Sequence, residues 1–596
     1  MANDRKELFV TDMAEIFEPK SNISEIGAKN KWRSVRYATT DHEGTILSAV
    51  GNAVPDDVSY DPQLEGWYKI YILMPAHQGT RLFIKLEQDE AFLMVHNQRL
   101  NGNYVEEFLW RCADMTGEKV TITRRKLALE ANSLISGLRF VPMTDEEVAE
   151  WKREDARTDT KCIYTTDDMH NRPYITKIET IEDWVATVLP FRHTDAEWFS
   201  VEDIRLFAEG ECPTAPDDYA FNRKGDRWVQ KQALKFDYDE VLRRITEKGH
   251  EIGLKMSVST RMGAWGMMYP YDQCYFDCAF HADHPEWRCI DKNGDVISAL
   301  SYAYEGVRKY MVDYIVNMAR SGCDAVTLIA HRGIPYVHYE KPVADKFFEL
   351  YGEYPYELPL DDPRLNELHC DIMTGFFREV RKALDKEFGK DKVEIHLRGQ
   401  FSLHDNKYIG LDCERLAAEG LINAVVSYPQ RHHELIPDWI RKEGDPAKID
   451  LEKYTQFVNG DAPTVFHSSD INSLGPYKNS RGEDVGPATQ ADRLAEWNAF
   501  EDKYGVKVYI DILPREMLND EFKRRVCEIY DLGARRIALW DTYSRVWNQP
   551  MWNIVSRFGH KDEIKDMPTH EDGYRNYKFL HIADTVFKRY NPMWGG

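Results

Sequence analysis

Between residue 32 and about residue 142 the apolar positions fall in short runs broken by turn residues, at 67–73, 82–86, 91–95, 120–123 and 134–141. Runs of this length, rich in Val, Ile, Tyr and Phe, predict β-strands, and their close spacing predicts an all-β sandwich. The charged stretch 145–161 is helical in bias and predicts a connector. Beyond residue 180 the pattern changes, with apolar runs alternating with amphipathic segments of helical length. One such segment puts Val307, Met311, Tyr314, Ile315 and Met318 on a single face, and another does so with Ile372, Phe376, Val380 and Leu384. Strand–helix alternation predicts parallel β/α units. Eight strands are expected, at 184–190, 253–260, 296–303, 325–330, 393–397, 422–428, 506–513 and 536–540. Gly322, Gly420 and Gly533 stand where a helix should end and a strand resume. The fold class is therefore α/β: a (β/α)8 TIM barrel over 181–596, preceded by an accessory, jelly-roll-like β-sandwich over 1–145, carbohydrate-binding-like or else a packing or lid element, and a connector over 146–180. The loops 192–236 and 429–505 are long enough to fold over the barrel mouth.

Polar residues crowd just past the expected strand ends, most densely from Ala330 to Glu340, where a barrel of this kind gathers its chemistry. The inventory comprises His193 and Asp195, Arg261, Tyr304 and Glu305, then His331, Arg332, Tyr339 and Glu340. It continues with His396 and Arg398, Tyr428, Asp511, Arg515 and Glu516, and Asp541 and Arg545. Glu305 is assigned to the positive end of a helix and set aside.

The net charge of −23 excludes a protein that tracks phosphates, because such binding draws on clustered Lys and Arg. Neither a nucleic-acid nor a membrane partner is expected: the first residues lack the apolar core of a secretory signal and no apolar run is long enough to span a bilayer. A cytoplasmic location follows as an expectation, and homo-oligomerisation stays open. Ten scattered cysteines suit reduced thiols. Cys274, Cys278, His281, His284 and Cys289 cluster, but their spacing matches no common zinc pattern, so ordinary packing is the simpler assignment. No cofactor is expected. No phosphate-cradling glycine loop and no Gly-x-Ser-x-Gly elbow occurs.

Paired carboxylates with aromatic, His and Arg neighbours suit glycosidic-bond hydrolysis, in which one carboxyl group protonates the leaving oxygen and another attacks or activates water. Asp511 lies between apolar strand residues and should project into the mouth, the competing assignment being a structural partner of Arg515 or Arg332. Glu340 follows a turn that would bend it over the pocket, the competing assignment being a surface pair with Lys341. Asp541 is the third catalytic candidate, or the N-cap of the next helix. His331, Arg332, Tyr339, His396, Arg398, Tyr428, Arg515 and Trp540 are the expected substrate-binding residues, against core packing or charge neutralisation.

His284-Pro285-Glu286-Trp287, Gly294, Val307-Arg308-Lys309-Tyr310 and Gly322 through Leu328 resemble the middle of the bacterial proteins described as family-ten-like glycosyl hydrolases. Arg332-Gly333, Pro335, Tyr339-Glu340, Asp511 through Arg515 and Leu539-Trp540-Asp541-Thr542 look like a branch of that group with a jelly-roll domain in front. The resemblance implies a TIM-barrel carbohydrate-active enzyme. One departure stands out: better-known relatives end the fourth strand with Asp, an aromatic and Arg, whereas this chain has Ile329-Ala330-His331-Arg332, and it also lacks the Asn-Glu pair of the largest glycosidase clan. The leading expectation is hydrolysis of small glycosides or oligosaccharides, with Asp511 as nucleophile or base and Glu340 as acid. A metal-dependent lyase or isomerase of sugar derivatives, using His193, His331, His396 and His467, is one alternative. A barrel that binds carbohydrate without cleaving it is another.

Overall fold

The computed structural model describes residues 5–51, 53–76, 80–96, 104–125, 132–167, 178–203, 236–263, 279–331, 335–359, 361–429, 477–478, 481–512, 519–540, 542–568, 575–583 and 585–586. Eight parallel strands close a barrel: β1 Ile163–Asp167, β2 Ala196–Glu202, β3 Lys255–Arg261, β4 Ala325–Ile329, β5 Glu394–Gly399, β6 Ala424–Ser427, β7 Lys507–Asp511 and β8 Ile537–Trp540. β1 closes the ring by pairing with β8, Tyr164 opposite Ala538 and Thr166 opposite Trp540. Strands such as β4 (Ala-Val-Thr-Leu-Ile) and β6 (Ala-Val-Val-Ser) are buried throughout, as expected where a parallel sheet is covered on both faces.

Six of the expected strands fall on β3 to β8, and two are corrected. The stretch 184–190 is not a strand: Thr180 and Asp183 form a capping box that starts the helix Ile181–Val185, and a 3-10 turn follows at Leu189–Phe191. The stretch 296–303 supplies a strand, Val296–Leu300, that pairs antiparallel with Arg288–Ile290 outside the barrel. Its tight turn is local, with Asp291 accepting from the amides of Asn293 and Asp295 at 2.8 and 2.9 Å, so hairpin closure outcompetes a distant parallel partner. The true first two strands are β1, inside the stretch read as a connector, and β2, inside the stretch read as a mouth loop. Helix Gln490–Tyr504 likewise occupies the end of the second long loop, with a capping box at Thr489 and Asp492.

The barrel helices present the faces their periodicity predicts: Val307, Met311, Tyr314, Ile315 and Met318 are buried, as are Phe376, Val380 and Leu384. Gly322 and Gly533 adopt φ of +82° and +102°, which glycine reaches without a Cβ clash, and each turns the chain from a helix into the next strand.

The N-terminal part is built of two sheets. The larger runs Leu8–Val10, Gly137–Pro142, Trp67–Pro75, Tyr104–Asp114, Asn576–Ile582, Trp32–Thr39, Glu43–Ala49, Ser133–Ile135, and the smaller Val58–Tyr60, Val120–Thr123, Leu82–Leu86, Leu93–Val95. Ile70, Ile72 and Phe108 of the first share a core with Ile84, Leu86 and Ile122 of the second. The segment Asn576–Ile582 inserts between Tyr104–Asp114 and Trp32–Thr39, so the chain returns to the sandwich after completing the barrel. Among the described residues no helix is long and apolar enough to cross a membrane.

Candidate active site

Alternation along the strands decides which side chains enter the barrel. Tyr164, Trp198, Ala325, Ala424, Val426, Tyr509 and Ala538 form one interior cluster. Two residues further on from Tyr164, Tyr509 and Ala538 stand Thr166, Asp511 and Trp540, and four beyond Trp198 stands Glu202, so these share the inward face toward the C-terminal ends. That is the end at which barrels of this fold carry their chemistry.

Asp511 and Arg398 meet there as an ion pair, both wholly buried. Arg398 also donates to the Thr166 hydroxyl at 2.9 Å, and its guanidinium lies 4.2 Å from the centroid of the Trp540 ring. His331 stacks on Tyr428 at 3.9 Å and meets the edge of Trp540 at 5.1 Å. The backbone behind His331 is pinned: the Ala330 carbonyl accepts from Tyr336 Oη at 2.8 Å, and the Ala330 amide donates to the Arg398 carbonyl at 2.8 Å. Asp511, Arg398, Trp540, His331 and Tyr428 thus make one continuous floor.

Sequence reasoning missed Glu202. It is wholly buried and accepts from Arg261 Nε at 2.7 Å. The signal was present in Ala-Glu-Trp-Phe-Ser-Val-Glu, whose alternation marks a strand, but that segment lay inside an assumed loop. Asp167 and Asp203, at the ends of β1 and β2, are buried as well.

Three expected site residues belong elsewhere. Glu340 is fully buried beside the Arg288–Leu300 hairpin, accepting from the Ser301 hydroxyl and from the His338 amide. Burial raises its pKa above the ordinary carboxylate range. Among the described residues it shares no hydrogen-bond partner with Asp511, and it anchors the loop preceding the helix Lys341–Tyr351 through the His338 amide. Tyr339 donates its hydroxyl to the Leu358 carbonyl at 2.9 Å. His396 lies one layer below the floor, 3.0 Å from Tyr164 Oη and 2.8 Å from Glu394, and burial lowers its pKa. It packs the barrel instead of facing a ligand. Arg332, Arg515, Glu516 and Asp541 lie outside the described residues. His193 and Asp195 precede β2 at the opposite end; Asp195 bonds His560 at 2.7 Å.

Of the suspected zinc cluster, His284 stacks on Trp287 at 3.8 Å and Cys289 is buried, while Cys274 and Cys278 lie outside the described residues. Among the described residues one triad brings metal-type ligands together, Glu154, His560 and Glu563. The Arg157 guanidinium already donates to Glu154 and Glu563 at 2.9 and 2.8 Å, placing a positive charge where a cation would sit.

No family model matches the chain, and no curated protein matches it by sequence. Solved structures similar to it include the glycoside hydrolase domain of PgaB (BpsB) from Bordetella bronchiseptica, at 8% identity and a TM-score of 0.38, covering 66% of this chain and 98% of that one. A β-galactosidase from the psychrophilic Marinomonas ef1 is similar at 12% identity and a TM-score of 0.38, covering 68% and 62%. The α-L-fucosidase isoenzyme 2 of Paenibacillus thiaminolyticus is similar at 11% and 0.34, covering 68% and 50%. The barrel assignment rests on strand pairing, independently of these likenesses.

Proposed function

We propose that this chain is a glycoside hydrolase, related to the family-ten-like group, that cleaves a glycosidic bond in small glycosides or oligosaccharides at the C-terminal mouth of its barrel. The observation that carries this reading is Asp511, an inward carboxylate at the end of β7, paired with Arg398, whose guanidinium lies on the Trp540 ring. A guanidinium there stabilises negative charge, which suits a nucleophile or base facing the anomeric carbon. Trp540, Tyr428 and His331 supply flat surfaces for a sugar ring, and Glu202 with Arg261 adds a second fixed acidic position. Asp541, which lies outside the described residues, remains the sequence candidate for the proton donor in this scheme, in place of Glu340. A panel of aryl glycosides tests the reading. Turnover of at least one sugar, lost in Asp511→Asn with the fold intact, supports it; turnover unaffected by that change refutes it.

One observation favours a second reading, a barrel that binds carbohydrate without cleaving it: both Asp511 and Glu202 are matched to arginines. Saturable sugar binding with no product over days, unchanged in Asp511→Asn, selects this alternative. The metal-dependent reading gains nothing from the imidazoles, since His193, His331 and His396 stand in three separate places and His467 is outside the described residues.

A further inference from the structure

A cavity of about 460 Å³ opens between the sandwich and the barrel, inside the roughly 300–1,000 Å³ span of small-molecule sites. A second cavity of about 680 Å³ adjoins it, sharing Leu109, Trp151 and His193. Neither is part of the barrel mouth. Thr194 and His193 precede the first residue of β2, and the Asp195 amide donates to the Ser556 carbonyl at 2.8 Å, so this wall belongs to the end where the strands begin. Both parts of the chain contribute: Trp67 and Trp110 from the larger sheet, Trp151 from the helix Asp145–Asp155, and Trp552 from the helix Gln549–Val555.

The rings form a splayed wall. Trp67 and Trp151 are 5.0 Å apart at 47°, and Trp151 and His193 are 5.3 Å apart at 57°. Beside them Arg111 donates to both oxygens of Asp89 at 2.7 and 2.8 Å and Arg192 donates to Glu90 at 2.9 Å, while Asp114 adds a further carboxylate to the lining. An anionic ligand would have to break one of these pairs. An uncharged ligand with C–H faces for the indoles and hydroxyls for Gln88, Asp89 and Asp114, which line the cavity, would not.

We propose that this interdomain cleft is a second saccharide site, binding a neutral oligosaccharide independently of the mouth. Its ligand class rests on the carbohydrate reading of the barrel, but its location and residues do not.

Calorimetric titration of the full chain with maltotetraose, cellotetraose, xylotetraose and mannotetraose tests this. At least one is expected to bind Asp511→Asn. Its affinity should fall about tenfold in Trp151→Ala, equivalent to ~1.4 kcal/mol, with turnover of aryl glycosides unchanged. Trp151→Phe, which keeps an aromatic ring, should lose less and carries the test if the alanine variant unfolds. Absence of binding for all four sugars, or binding indifferent to both Trp151 variants, overturns the proposal. Asp511→Asn with full turnover but Trp151-dependent binding would overturn the catalytic reading and leave this site standing.

Discussion

The guanidinium of Arg398 and the carboxylate of Asp511 form an ion pair inside the barrel, with neither side chain reaching solvent. A charge buried this deeply depends on its partner to offset the cost of leaving water.

Removing one member of a buried pair costs about 3–5 kcal/mol, since the other charge is left uncompensated. Arg398→Met is expected to lower the unfolding free energy by that amount, and the double variant Arg398→Met/Asp511→Leu to recover most of it. Urea denaturation of the three proteins measures both effects. A double variant no more stable than the single one would show that the pair is not what the site's packing depends on.

The division of labour between carboxylates is separable by leaving group. A leaving group that departs without protonation does not need the general acid. Asp541→Asn should therefore keep much of its turnover on dinitrophenyl glycosides and lose roughly 10²–10⁴-fold on alkyl glycosides, while Asp511→Asn loses both. If Glu202→Gln instead shows the leaving-group dependence, the acid is Glu202.

Glu340 is bonded to Ser301 and His338, and these described partners lie outside the floor. Glu340→Gln should leave kcat near that of the parent chain, with any change appearing in thermal unfolding. Steady-state kinetics decide this, and a large fall in kcat with an unchanged melting temperature would return Glu340 to the chemistry.

Glu496, on the helix Gln490–Tyr504, has its pKa pushed up to about 7 by burial, with Asp405 and Glu414 adding repulsion. A carboxyl whose folded-state pKa is raised contributes stability below its ordinary value of 4.5, and that contribution is lost as pH rises through about 7. Glu496→Gln carries no such charge. Its melting temperature relative to the parent should therefore rise between pH 5 and pH 8, and an unchanged difference would mean that Glu496 is not buried as a neutral acid.

How far the sequence could be read depended on the range of the competing interactions. β3 to β8 were legible because apolar runs flanked by helix-ending glycines have one consistent reading. β1 and β2 were not: Ile-Tyr-Thr-Thr-Asp carries little hydrophobic contrast, and Ala-Glu-Trp-Phe-Ser-Val-Glu alternates like a half-exposed strand although the barrel buries nearly all of it. The misplaced strand at 296–303 reflects a hairpin turn, a local preference that the period of the pattern does not reveal.

In the floor, Asp511, Arg398, Trp540, His331 and Tyr428 were named from their positions at strand ends and are found together. Glu340, Tyr339 and His396 had the same apparent position at strand ends but are engaged in loop anchoring and interior packing.

Composition, periodicity and turn residues were enough to determine the strand–helix alternation, the sandwich ahead of it and the end of the barrel that bears polar groups, because these follow from local propensity and from burial of one face. Which acids meet which arginines, which strand carries Glu202, and that the chain's last described strands complete the sandwich were decided by tertiary structure alone. Those relations join residues that are neighbours only once the ring of strands has closed, and no one-dimensional pattern records a distance across it.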